Sequence, residues 1–184
     1  MKLWLARHAQ PLVAPGICYG RLDVAASTEG TAECAQALAA RLPAGAHVAS
    51  SPLQRCEQLA QALQGLRPDL TYKIDLRLQE MDFGRWEGLA WEDIAPDELQ
   101  AWTSNFAGYA AGHYGECVTS FMDRVASAFD ELREPGATLW ITHAGVIRAV
   151  ELLAQGIRNI ERAEQWPLQA LEYGQWRSMD LPTG

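Results

Sequence analysis

Apolar residues fall along this chain in short unbroken runs, separated by longer stretches in which they recur every three or four positions. The first run, KLWLA at residues 2–6, has the length and continuity of a strand buried on both faces. It leads to STEGTAECAQALAARL, where Ser27 or Thr28 can cap a helix whose apolar residues keep helical spacing. The same order returns in AHVASSPLQRCEQLAQALQGL. This predicts a strand over Ala46 to Ser50, Ser51 as N-cap, Pro52 at the first helical position and an amphipathic helix behind it. YKIDLRL predicts a third strand, and ECVTSFMDRVASAFDEL a helix with Pro135 and Gly136 just beyond its end. ATLWIT predicts a fourth strand, which passes through HAG into the helix VIRAVELLAQGI. LEYGQWRSMDL alternates as a last strand at a sheet edge would.

Strands alternating with helices predict an α/β fold, a three-layer α/β/α arrangement around a mostly parallel sheet. Residues from about Met81 to Gly115 break the alternation and carry Trp86, Trp91, Trp102, Phe106, Tyr109 and Tyr114 among several glycines. That composition predicts a cap-like excursion over the carboxyl ends of the strands, with its tryptophans either stacking on a ligand or packing in the core. The 184 residues, 48% of them hydrophobic, suffice for one substantial core, so a single domain over 1–184 is expected.

Charge and cysteine usage narrow the function. A formal net charge of −8 argues against a surface for nucleic acid or for anionic membranes, so any anion site must be local. No window approaches the ~20 apolar residues of a membrane span, and MKLWLARHAQP is too short and polar for a signal peptide, so a soluble, cytoplasmic protein is expected. Cys18, Cys34, Cys56 and Cys117 form no CxxC pair and have no histidine at metal-ligand spacing. No metal, other cofactor or disulfide framework is expected, and most of the four should be small buried residues.

The candidate chemistry lies where the predicted strands end. In open parallel sheets, ligands bind beyond the carboxyl ends of the strands. Arg7 and His8 follow the first strand, Ser50, Ser51 and Arg55 the second, Glu80 the third and His143 the fourth. Each has an ordinary reading when taken alone: a solvated loop, a first-turn helix charge, a surface carboxylate, a core histidine. Together they would bring two arginines, two histidines and a glutamate to one cleft, a set suited to phosphoryl transfer. Arginine offers a planar fork of donors to phosphate oxygens, and a neutral imidazole is a competent nucleophile near neutral pH. A second imidazole, protonated, would add a cation, and Glu80 would protonate the leaving oxygen and then activate water. Spacing does not say which histidine attacks.

Read in order, LARHAQ, SSPLQRCEQLA, LQEMDFGRWEGL and ITHAGVIRAV resemble the motifs of the histidine phosphatase superfamily, also called the phosphoglycerate mutase-like family, over nearly the whole chain. The resemblance implies His8 as the nucleophile, Arg7, Arg55 and His143 as phosphate-pocket residues and Glu80 as proton donor, with Cys117 where the family commonly has serine. Ala9 and Ala144 stand where glycine is frequent, which would be strained if those places needed a left-handed backbone. Mutases of the family carry polar residues in the loop after the nucleophile, whereas this chain has Pro11 and Ala14. GICYGRLDV, with Tyr19 and Arg21, and EMDFGRWEG look like the α-ribazole phosphatase branch. That implies a small-molecule phosphate ester as substrate and inorganic phosphate as product. Tyr19 and Arg21 would be substrate contacts, unless Arg21 simply pairs with Asp23. A homodimer through the cap or the last strand is a further expectation.

Overall fold

The structure, a computed structural model, describes residues 1–132 and 136–182. It is an α/β fold with a five-stranded sheet in the order β3-β2-β4-β1-β5. The strands are β1 (Lys2–Arg7), β2 (His47–Ser50), β3 (Tyr72–Ile74), β4 (Ala137–Thr142) and β5 (Trp176–Asp180). The first four run parallel, with Arg7 opposite Thr142 and Ser50 opposite Ile141, while β5 closes one edge antiparallel to β1. The alternation of the tail predicts this edge strand, but the strand begins only at Trp176, five residues after the start of LEYGQWRSMDL, because residues 173–174 form a turn.

The two faces of β1 show why the sheet lies between helical layers. Leu3 and Leu5 point into one apolar cluster with α4 (Val118–Asp130) and α5 (Ala144–Ala154). Trp4 and Ala6 point into the other, with α1 (Thr28–Ala39) and α2 (Gln54–Leu66). Strand side chains alternate between faces, so a run that is apolar throughout buries both. Segment 81–115 joins the first cluster through Trp86, Ile94, Phe106 and Ala111 and includes the short α3 (Pro96–Ser104). Among the described residues, no helix is long and apolar enough to cross a membrane.

Local chemistry sets the helix starts. Ser27 caps α1, its hydroxyl accepting from the Gly30 N–H at 3.2 Å. Cys117 caps α4 with its sulfur, which accepts from the Ser120 N–H at 3.4 Å and so fills the place of the more usual serine.

The start of α2 departs from the sequence expectation. The helix begins at Gln54, not at Pro52, with its first N–H held by the Asp23 carboxylate at 2.7 Å. The third predicted strand is also shorter than YKIDLRL. Asp75 accepts from the Arg77 N–H and turns Leu76–Leu78 into a single 3-10 turn, which carries the chain back toward the sheet end. Pro135, expected just past α4, lies outside the described residues.

Candidate active site

The parallel register gathers the predicted residues at one end of the sheet. Arg7 is the last residue of β1 and His8 the next. His143 is the N-cap of α5, in the extended conformation that ends β4, with its ring turned away from capping. Arg55 lies in the first turn of α2, and Glu80 follows the 3-10 turn. Arg7, His8, Arg55 and Glu80 line a cavity of about 330 Å³, and the His143 ring lies 5.1 Å, centroid to centroid, from that of His8.

The hydrogen bonds of His8 fix its tautomer. Nδ1 lies 2.7 Å from the Ala9 carbonyl oxygen, which can only accept, so the proton sits on Nδ1 and the Nε2 lone pair is left free of it. Arg55 Nε–H faces that lone pair at 3.3 Å, the long end of the hydrogen-bond range. Arg55 itself is fully buried and held by the carbonyls of Leu22 (2.9 Å) and Gly20 (2.6 Å). Arg7 donates from Nη1 to the Leu171 carbonyl at 2.6 Å, whereas its buried Nε–H has no protein partner among the described residues. A buried donor without an acceptor is costly, and this one belongs to a residue that lines the cavity beside His8.

Burial, followed by the cationic Arg55, holds the pKa of His8 well below the ordinary imidazole value; the same two causes, joined by His8 itself, do so for His143. Both rings are therefore neutral at pH 7. The His143 ring also bonds Ser51 Oγ at 2.8 Å through Nε2 and lies 3.5 Å from Cys56 Sγ. Ser51 is thus a partner of His143, not the cap of α2 that the sequence suggested.

The sign of the acid response follows. Unfolded imidazoles take up protons as pH falls below about 6.5, whereas the folded chain refuses them until far lower pH. Stability present above that range is lost below it, with a slope approaching about 1.4 kcal/mol per pH unit for each proton refused. Thermal unfolding should therefore show a midpoint that drops between pH 7 and pH 5, and His8→Asn should flatten the drop. A midpoint constant over that range would contradict neutral, buried rings.

Glu80 is held from several sides. Its carboxylate accepts from the N–H groups of Gly145 and Met81, each at 3.0 Å. Arg124 of α4 donates to the carbonyls of Arg77 (2.7 Å), Gln79 (2.8 Å) and Glu80 (2.9 Å), gathering the segment that carries it. Thr142 Oγ1 ties the end of β4 to the Leu78 carbonyl at 2.7 Å. A Cβ added at Gly145 would lie 2.2 Å from Glu80 Oε1, so any other residue there would push the carboxylate out of place.

The loop after β1 depends on Glu87, whose carboxylate accepts from the N–H groups of Gly20, Leu22 and Phe83 at 2.8, 2.9 and 2.9 Å. This cradle orients the two carbonyls that grip Arg55. Sequence reasoning did not find Glu87 or Arg124, because each acts on main-chain atoms of a segment far away in the chain.

Tyr19 lines the cavity. Arg21 does not. Its guanidinium faces Asp82 at 3.5 Å and Glu116 at 3.3 Å, tying the loop to the capping segment, and Asp23 is engaged on α2. Trp91, Trp102 and Phe106 of the excursion line the cavity, with Trp91 and Trp102 stacked at 6.3 Å, whereas Trp86 is core and donates to Glu98. Trp166, Arg148 and Leu168 complete the wall from α5 and the segment after it. The strain considered for Ala9 and Ala144 is not present. Among the described non-glycine residues only His113 has a positive φ, and Ala144 opens α5. Cys18, Cys34 and Cys56 are buried, and burial pushes each thiol up to about 12, so all three stay protonated at neutral pH.

The chain is similar to known proteins in sequence and in fold. The chain is 29% identical over 153 residues to phosphoglycerate mutase-like protein 4 of Arabidopsis thaliana; the match covers 78% of this chain and 66% of that relative. It is 29% identical to the crystal structure of a phosphoglycerate mutase from Thermus thermophilus, covering 99% of this chain and 94% of that one with a TM-score of 0.73. It is 25% identical to mycobacterial hydrolase 1, covering 96% and 87% with a TM-score of 0.79. A family model matches residues 3–179, and the chain therefore belongs to the histidine phosphatase superfamily (branch 1), whose members are in general phosphatases or mutases.

Proposed function

We propose that this chain is a phosphomonoesterase that works through a phosphohistidine on His8. The observation that carries the reading is the His8 Nε2 lone pair, set free by the Ala9 carbonyl and faced by Arg55 in a cavity that Arg7 also lines. An incoming phosphate dianion draws the Arg55 Nε–H from Nε2 to a phosphate oxygen, which the long 3.3 Å contact makes cheap. Nε2 then attacks phosphorus as the ester P–O bond breaks, and Glu80 gives its proton to the leaving alcohol oxygen. Water next attacks the phosphoryl group while returning a proton to Glu80. Inorganic phosphate leaves and His8 regains its lone pair. Charge on the transferring group is met by Arg7 and Arg55, and by His143, whose protonated form the dianion favours. These cations let the reaction run without a metal, so activity is expected to be indifferent to chelators.

For the substrate we infer α-ribazole 5′-phosphate or a similar small ester with a flat, weakly polar body. Phe83, Trp91, Trp102, Phe106, Phe121 and Trp166 line the same cavity as the arginines and His8. Such rings favour stacking on an aromatic base over solvating a sugar or a carboxylate. Hydrolysis is favoured over mutase activity because Pro11 is engaged in a backbone bridge with Ala26, and neither it nor Ala14 is among the lining residues.

A panel of esters tests both inferences. The aromatic ester should exceed ribose 5-phosphate in kcat/KM by more than ~10-fold, equivalent to about 1.4 kcal/mol of transition-state discrimination. A spread within that factor would make the enzyme a broad-specificity phosphatase. Conversion of 3- to 2-phosphoglycerate that needs 2,3-bisphosphoglycerate and outruns ester hydrolysis would make it a mutase.

A further inference from the structure

Tyr173 lies in the turn before β5, within the stretch LEYGQWRSMDL whose alternation predicts strand throughout. Its backbone is pinned to the pair that ends β1: the Gly174 N–H donates to the His8 carbonyl and the Arg7 N–H to the Gln175 carbonyl, both at 3.0 Å. Gly174 has φ +68°, the left-handed conformation that lets the turn double back there.

The Tyr173 ring is then laid on the face of Arg7, with Cζ 3.7 Å from the ring centroid, and lies 5.7 Å from the ring of His8. One Arg7 nitrogen is fixed by the Leu171 carbonyl and one face is covered by Tyr173, so the remaining donor edge has a set direction. Tyr19, from the loop after β1, stands in a similar relation to the other arginine, with Arg55 Cζ 5.4 Å from its ring centroid. The two phenol hydroxyls are hydrogen-bonded to each other across 154 positions of sequence. Burial and this bond push the Tyr19 phenol above its ordinary value, so it stays protonated in any neutral buffer.

We propose that Tyr173 and Tyr19 form a hydroxyl-linked brace that fixes the relative placement of Arg7 and Arg55, and that Tyr173 is a positioning residue for the phosphoryl group. The proposal rests on reading the cavity as a phosphate site. Its physical basis is that a flexible arginine stem must be ordered before its fork can match a tetrahedral anion, and a ring face plus one carbonyl orders it in advance. Small errors in such placement are amplified in rate.

Binding of inorganic phosphate to the whole chain, measured by calorimetry, tests the brace without requiring turnover. Tyr173→Leu, which removes both face and hydroxyl, should weaken phosphate binding about tenfold and lower kcat on an aryl phosphate more than it raises KM. Tyr173→Phe and Tyr19→Phe should each weaken binding about threefold, and the double variant no further, because each single change already removes the shared bond. The Phe cycle also decides the matter should the Leu variant fail to fold. Wild-type phosphate affinity in Tyr173→Leu, or two Phe effects that multiply, would overturn the brace. A wild-type chain that binds phosphate but hydrolyses no ester would overturn the hydrolase reading instead, with the brace still judged on binding.

Discussion

His8→Ala should lower kcat on an aryl phosphate by roughly 10⁴-fold or more, because it removes the lone pair placed to attack phosphorus. The variant should remain folded. Arg55 loses a 3.3 Å contact but keeps the carbonyls of Gly20 and Leu22, and Arg7 keeps Leu171. Phosphate should still bind, so the loss should appear in kcat with inhibition by inorganic phosphate or vanadate retained. Substantial turnover by the variant would sink the covalent mechanism.

Glu80→Gln should have the second largest effect, and its size should depend on the leaving group. An alkyl phosphate needs its departing oxygen protonated, so loss of the acid should cost about 10²- to 10⁴-fold. A nitrophenyl phosphate needs little such help, and its bond-breaking step should be far less affected. Hydrolysis of the phosphoenzyme should still suffer, since the same carboxylate activates water. Rapid-quench kinetics on the nitrophenyl ester should therefore show a burst close to one product per active site, followed by slow turnover. Equal losses for both esters with no burst would remove Glu80 from proton transfer.

Much of this site was legible in the sequence because parallel strands end at one sheet edge. Arg7, His8, Arg55, Glu80 and His143 each stand within a few residues of a strand end, and the register brings those ends together. What was not legible depends on contacts that span long stretches of chain. Ser51 matches an N-cap in its local pattern, yet it is drawn to His143, 92 positions away, while Asp23 takes over the helix start. Arg21 sits in a loop that suggests a substrate contact, but Asp82 and Glu116 of another segment claim it. Arg148 and Tyr173 sit in stretches whose apolar pattern reads as an ordinary helix and an edge strand, so the pattern places the backbone without marking either side chain as part of the site. YKIDLRL stops short as a strand because a single Asp75 side chain redirects the backbone more strongly than strand propensity holds it.

The most direct test of the account is to quench the enzyme during turnover of a phosphate ester labelled in its phosphoryl group and to map the label. The account predicts one labelled site at His8, lost in acid and stable in alkali as a phosphoramidate must be, and absent from His8→Ala. Label on another residue, or full turnover with no labelled enzyme at any quench time, would contradict it.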